Sequence, residues 1–313
     1  MAQIAILGLG TVGTSLGLAL RKDKAWANVV GYDPAYLSRR GAVSQDAVRS
    51  GADSIEAAVR DADVVILTGS AVRVAGWLRE IAGAVKRGCV VTDTSSAKAV
   101  VMEAAREALP SYASFVGGHP SVSEAGRDGG IARPDLFRKR TWYLTPAPGT
   151  REDAIELVCG MVEVAEGVAH FVDASEHDSW CAAVEQLPAV LAVTLVTTTA
   201  KSGGWREMQR MASVAYREAS ELATSDAAAR EDMVALYDAL APWLAACERQ
   251  LREIRGAFEA RDEGTIAALF AEANGLRASW LAAAKRGYPD EVSAALDSVR
   301  PTFSPKSLFR RRT

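Results

Sequence analysis

Three hundred and thirteen residues are enough for two domains, each with its own core. A formal charge of −3 with 24% charged residues leaves no basic excess for nucleic acid, and the run Arg310 to Arg312 reads as a solvated tail. The opening MAQIAILGLG lacks a basic region before its apolar run, and no uncharged apolar stretch reaches the roughly 18 residues that span a bilayer, so a cytoplasmic protein is expected.

Residues 1–171 alternate short β-branched runs with helical patterns, the signature of parallel βαβ units. The first strand, QIAIL, runs into Gly8-Leu9-Gly10-Thr11-Val12-Gly13 and then into the helical TSLGLAL. The first glycine makes a tight turn, the second lets backbone approach a pyrophosphate, and the third permits close helix-to-strand packing. Phosphates then sit at the positive end of the helix. The second strand, NVVGYD, ends at Asp33, twenty residues after Gly13, where a carboxylate accepts both ribose hydroxyls and repels a 2′-phosphate. NAD is therefore the expected cofactor, with Arg39 and Arg40 keeping NADP as a lesser alternative.

DVVILT leads past Ser70 into the amphipathic VRVAGWLREIAGAVKRG, closed by Gly88 in a C-terminal cap position. CVVTDTSSAK then places Thr94, Ser95, Ser96 and Lys98 past a strand end. Ser70 and Thr94 join Gly8, Gly10, Thr11, Val12, Gly13 and Asp33 as candidate cofactor contacts. SFVGG places His119, one of three histidines, past the next strand. An imidazole with an ordinary pKa near 6.5 suits proton transfer from an alcohol as hydride leaves, although a hydrogen-bonded turn histidine fits that stretch equally well. His170, in the strand VAHFVD, has no evident chemical partner.

After HFVDASEHD the strands end, and Ala/Leu/Glu/Arg-rich segments with helical period run from about 176 to 286. SWCAAVEQLPAVLAVTLVTTTA is apolar on nearly all sides, which predicts a helix buried on every face with the help of a second subunit, hence a homodimer. The expected fold is α/β: a Rossmann-type dinucleotide-binding domain over 1–171, an all-α substrate and dimerisation domain over 172–288, and a tail over 289–313. Cys89, Cys159, Cys181 and Cys247 lack the paired spacing of a zinc or redox motif, so reduced thiols and no bound metal are expected.

With Gly8 to Gly13, VVTDTSSAK, FVGGHP, DLFRKRTWYLTP, EHD at 176–178, LP at 187–188 and GGWREMQRMAS at 203–213, the chain resembles the prephenate and arogenate dehydrogenases of tyrosine biosynthesis. The resemblance covers about residues 3–285. It implies hydride transfer from ring C4 of a cyclohexadienyl substrate to NAD while the ring carboxylate leaves as carbon dioxide. His119 then matches the catalytic base for the C4 hydroxyl, Ser96 the serine that holds that hydroxyl and orients the histidine, and Arg210 the arginine that clamps a substrate carboxylate. Asp93 and Lys98 are expected to brace the loop, and His177 and Asp178 to be a cap and a packed neighbour.

Two stretches depart from the family pattern. Where the family reads Ser-His-Leu-Pro-His, this chain has Glu185-Gln186-Leu187-Pro188-Ala189, and where it reads His-Pro-Met-Ala-Gly-Ser-Glu, this chain has His119-Pro120-Ser121-Val122-Ser123-Glu124. Ser121 and Glu185 are therefore candidate substrate contacts. A Glu185 that reaches the cleft would pair with a side-chain ammonium and favour arogenate or an amino-substituted prephenate; one that faces a helix neighbour is only a surface or interface charge. Two other functions remain open: a dehydrogenase of a 3-hydroxy acid or imine using Lys201, and an NAD-binding paralogue or sensor impaired in turnover.

Overall fold

The computed structural model describes residues 2–122, 130–224 and 227–286. The tail expected over 289–313, with Arg310 to Arg312, and the loop positions Ser123 and Glu124 lie outside the described residues. In chain order the first part holds β1 (Ile4–Leu7), α1 (Thr11–Leu20), β2 (Val29–Tyr32), α2 (Tyr36–Ser44), β3 (Ser50–Gly51), α3 (Ile55–Val59), β4 (Val64–Leu67) and α4 (Ala71–Ile81). There follow β5 (Val90–Asp93), α5 (Lys98–Ala108), β6 (Ser114–Pro120), β7 (Thr141–Pro146), α6 (Glu152–Val164) and β8 (Val168–Phe171).

The strands form one eight-stranded sheet in the order β3-β2-β1-β4-β5-β6-β7-β8. β1 is buried on both faces, as an interior parallel strand must be. Its Ile4 and Ile6 enter one core cluster and Ala5 and Leu7 the other, so the two-residue period of the strand divides its side chains between the helical layers. β2 and β4 leave β1 on opposite sides, and this reversal opens a crevice at the carboxyl ends of the strands.

Two local expectations change. β7 pairs antiparallel with β6, against the all-parallel reading. The described residues of the connection 121–140 form turns and no crossover helix, and a parallel return would need such a crossover. Gly88 does not cap α4, which ends at Ile81; it takes φ +79° in the turn before β5, where its N–H donates to the Tyr112 carbonyl.

The second part is helical: α7 (Ala174–Cys181), a π turn (Ala182–Gln186), α8 (Leu187–Ala200), α9 (Trp205–Met211), α10 (Val214–Ser220), a 3-10 turn (Glu221–Thr224), α11 (Ala227–Ala235), α12 (Tyr237–Glu259) and α13 (Glu263–Arg286). The π turn has a cause in the sequence. Pro188 has no N–H to offer the preceding turn and its ring crowds the carbonyl four residues back, so the helix takes up one extra residue before α8. By contacts the described chain divides into two compact units, residues 2–239 and 240–286.

The run Ala174–Ala200 is long and apolar enough, by length and composition, to cross a membrane. α8, expected to be buried all round, buries only Ala189 and Ala192 within this chain, while Leu191 and Val193 are exposed. Among the described residues its apolar surface is therefore only partly covered. In the second unit Leu251, Phe258, Phe270, Leu276 and Trp280 are exposed in the same way.

Candidate active site

The glycine turn between β1 and α1 has the geometry its spacing predicts. Gly8 has φ +96°, and a Cβ there would lie 2.0 Å from the Thr68 carbonyl oxygen, while one on Gly13 would lie 1.9 Å from that of Gly8. Among the described residues a Cβ on Gly10 would meet nothing within 4 Å, so the backbone there is open to close approach. Gly10 is also the N-cap of α1 and supplies no side-chain acceptor, so the first amides of the helix lack a side-chain cap, the arrangement that suits an anion at a helix N terminus. Thr11 itself donates its hydroxyl to the Gly130 carbonyl at 3.0 Å.

Asp33 follows β2 at the rim of this crevice. Its Oδ2 accepts from the Leu9 amide at 2.8 Å and its Oδ1 from the Ala35 amide at 2.9 Å, which fixes the carboxylate beside the glycine turn. Arg39 donates to the Asp33 carbonyl at 2.5 Å and lies over the rings of Tyr32 and Tyr36. These features fit a dinucleotide: an open backbone approach, amides without a side-chain cap at a helix N terminus, and a fixed carboxylate at the end of the second strand.

Further along the same edge, Lys98 and Asp93 form a fully buried ion pair. The Lys98 ammonium reaches Asp93 Oδ2 at 2.5 Å and the Gly118 carbonyl at 2.7 Å, and the Gly118 amide donates to Asp93 Oδ1 at 2.9 Å. A Cβ on Gly118 would come within 2.6 Å of the Asp93 carbonyl oxygen, so the glycine before His119 allows the ends of β5 and β6 to approach this closely. The pair thus clamps the backbone from which His119 projects.

His119 is 1% exposed and belongs to a hydrogen-bonded series. Its Nδ1 lies 3.0 Å from His177 Nε2, and His177 Nδ1 lies 3.0 Å from Asp178 Oδ1. Asp178 also accepts from the Lys98 amide at 2.6 Å and the Ala99 amide at 2.8 Å, capping α5, so its carboxylate is an acceptor in every direction. That assigns the tautomers: His177 carries its proton on Nδ1, its Nε2 accepts from His119 Nδ1–H, and His119 Nε2 is left with a lone pair. Glu185, in the π turn, places Oε1 3.9 Å from His119 Nε2. The Tyr143 ring lies beside His119, at 6.4 Å between centroids, because the two residues are register partners across β6 and β7.

The remaining expected residues are distributed less compactly. Ser96 donates to Asp232 Oδ2 of α11 at 2.7 Å, and Ser70, the N-cap of α4, is tied to Glu231. The Ala71 amide donates to Asp232 Oδ1 at 2.7 Å. Thr94 is half-buried beyond β5, with its amide on the Leu67 carbonyl, and Ser121 is exposed beyond β6, with its amide on Thr141. Arg210 is an exposed residue of α9 paired with Glu207 at 3.3 Å, and its contacts do not join it to His119. His170, expected to lack a partner, packs its ring against Tyr143 and Trp180.

Sequence reasoning missed the contact of His177 with His119, the thiol of Cys181 beside both rings, and the carboxylates of Glu231 and Asp232. The i, i+4 placement of His177 and Cys181 was the available signal for the first two.

Residues 16–171 match the family model for the prephenate dehydrogenase nucleotide-binding domain, and residues 173–272 match the prephenate dehydrogenase dimerization domain. The chain belongs to the prephenate dehydrogenase family. Similar curated proteins of this family include the prephenate dehydrogenase of Bacillus subtilis, 27% identical over 88% of this chain and 75% of that one. The cyclohexadienyl dehydrogenase of Zymomonas mobilis is 29% identical over 88% of this chain and 94% of its own. Among solved structures, prephenate dehydrogenase from A. aeolicus in complex with hydroxyphenyl propionate and NAD+ superposes with a TM-score of 0.81 at 22% identity, covering 89% of this chain and 98% of that one.

Family membership makes the chain an oxidoreductase of the prephenate dehydrogenase type with a nucleotide-binding domain. The apolar run Ala174–Ala200 lies inside the segment that matches the dimerization domain.

Proposed function

We propose that the protein carries out the NAD-dependent oxidative decarboxylation of prephenate or arogenate, with His119 as the base, as a cytoplasmic homodimer joined through its helical part. The observation that carries this reading is the tautomer series, because it leaves a lone pair on Nε2 of a buried imidazole beside a nucleotide cradle. Bound NAD would be held by the glycine turn, the amides of Thr11, Val12 and Gly13 at the start of α1, and Asp33, and would supply the acceptor for the C4 hydride.

His119 Nε2 takes the C4 hydroxyl proton as the C4–H bond gives up its electron pair as hydride. The C1–carboxylate bond of the ring then breaks, its electron pair passes through the ring to the C4 oxygen, and His119 returns the proton there as the ring becomes aromatic. The proton is borrowed and restored, so the base needs no exchange with solvent within a turnover. While His119 is an imidazolium, its Nδ1–H strengthens the bond to His177, which Asp178 in turn supports.

Ser96 is proposed to hold the substrate hydroxyl, Arg210 a substrate carboxylate, and Ser121 and Glu185 the side-chain end, with Ser70 and Thr94 lining the cofactor. The negative charge of Glu185 is what favours an amino-bearing substrate; its carboxylate lies 3.9 Å from His119 Nε2. The domain limits 1–171, 172–288 and 289–313 belong to the same proposal.

The deciding test is NADH formation by the purified full chain with prephenate and with arogenate. We expect turnover with at least one of them and a loss of about 10²- to 10⁴-fold in kcat for His119→Asn with NAD binding retained. Tight NAD binding without turnover on either substrate in the unaltered protein would overturn the assignment.

A further inference from the structure

His119 Nδ1, His177 Nε2 and Cys181 Sγ form a small triangle of soft and borderline donors. Its sides are 3.0 Å between the two nitrogens, 3.7 Å from the sulfur to His119 Nδ1 and 3.6 Å from the sulfur to His177 Nε2. A point about 2.0 Å from all three donors lies at its centre, matching zinc–imidazole bonds of about 2.0–2.1 Å and approaching the roughly 2.3 Å of zinc–thiolate, which a displacement out of the plane with a slight shift toward the two nitrogens supplies.

All three side chains are at least nine-tenths buried and come from two packed elements, β6 and α7, so the triangle is held by the fold. The outer layer agrees. His177 gives its other ring nitrogen to Asp178, itself fixed by two backbone amides, which is the carboxylate–histidine support usual behind a metal-ligating imidazole. Glu185 faces the other ring nitrogen of His119.

We propose that these three residues form a site for a borderline-soft divalent cation, with zinc as the fitting case, and that its occupation switches the dehydrogenase off. Two imidazoles and a thiolate select against magnesium and calcium, which prefer oxygen. On binding, the Cys181 thiol loses its proton to solvent and the sulfur becomes the ligand. The His119 proton must leave Nδ1, which now binds the ion, and reside on Nε2, where Glu185 can accept it. His177 keeps Nδ1–H on Asp178. The base then carries a proton on the one atom that has to receive one. The inhibitory half rests on His119 being the base; the binding half does not.

The test uses the full chain, with cobalt and zinc chloride as probes. Cobalt should bind at one equivalent with a near-ultraviolet thiolate band that zinc abolishes, and Cys181→Ser should remove the band and weaken zinc binding by more than about a hundredfold. Zinc should inhibit NADH formation at the concentration at which it displaces cobalt, and Cys181→Ala should keep its own rate of turnover, whatever that rate is, at a zinc concentration that silences the unaltered protein. Absence of the thiolate band in the unaltered protein, or a band that survives Cys181→Ser, overturns the site. Saturation with zinc through Cys181 without loss of turnover overturns the switch. A protein that binds cobalt through Cys181 but turns over neither substrate keeps the site and refutes the proposed reaction.

Discussion

Replacing Lys98 by methionine isolates the buried clamp behind His119. Lys98 and Asp93 are both fully buried, and breaking such a pair from one side costs about 3–5 kcal/mol because a charge is left without its partner. Asp93 would keep three donors, from Ser95 N, Ser95 Oγ and Gly118 N, which favours the lower end, about 3 kcal/mol. The Gly118 carbonyl would lose the ammonium at 2.7 Å, adding about 1 kcal/mol. With a urea slope of about 3 kcal/mol/M, the combined loss lowers the unfolding midpoint by roughly 1.3 M. Neutralising the partner as well, in Lys98→Met with Asp93→Asn, should recover about half, since no buried charge remains. Urea unfolding followed by tryptophan fluorescence measures both. A single-variant loss under about 1 kcal/mol, the range of an exposed pair, or a double variant no more stable than the single, would refute the reasoning.

Asp178→Asn should lower kcat at least about tenfold with little change in KM for NAD, because a neutral amide removes the carboxylate that supports the His119–His177 series while His119 is an imidazolium; unchanged kcat would count against the series. Glu185→Gln should weaken any preference for arogenate in steady-state kinetics, and a large preference for prephenate that survives the change would remove Glu185 from substrate selection. Asp173 caps α7, which carries His177 and Cys181, and its bonds from Ser175 hold its carboxyl below the ordinary carboxylate range. Because the folded pKa is depressed, its contribution is present above the ordinary value of 3.8 and is lost as pH falls through the folded one. Asp173→Ala should cost about 1 kcal/mol near neutral pH, and thermal unfolding should show that difference vanish at acid pH.

The nucleotide cradle was legible in the sequence because a tight turn, an open backbone and a packed helix each demand glycine at a fixed offset, and Gly8, Gly10 and Gly13 meet those demands within six residues. The direction of β7 was not, since direction depends on the connection and TWYLTP reads the same either way. The clamp was half legible: Asp93 and Lys98 stand five positions apart, but Gly118, whose amide donates to Asp93 and whose carbonyl accepts from Lys98, comes from the next strand. The bond between His119 and His177 joins residues 58 positions apart, and only a folded sheet with α7 beside it brings them together. Glu231 and Asp232 were invisible for a further reason, because α11 is a short helix whose acids look like ordinary solvated charges until they meet the ends of β4 and β5.

The π turn at Ala182–Gln186 has a consequence for how this chain can vary. One additional residue in a helix rotates everything downstream by about 100° relative to what lies upstream. His177 and Cys181, before it, look toward His119, whereas Leu191 and Val193, after it, look away from the chain. Pro188 keeps that rotation in place. Removing a single residue there would restore a regular helix and make both halves share one angular phase, so that a change in the pocket would drag the outward apolar stripe with it. With the extra residue present, one continuous helix turns one face to His119 and another outward, and the side chains on the two faces can vary independently.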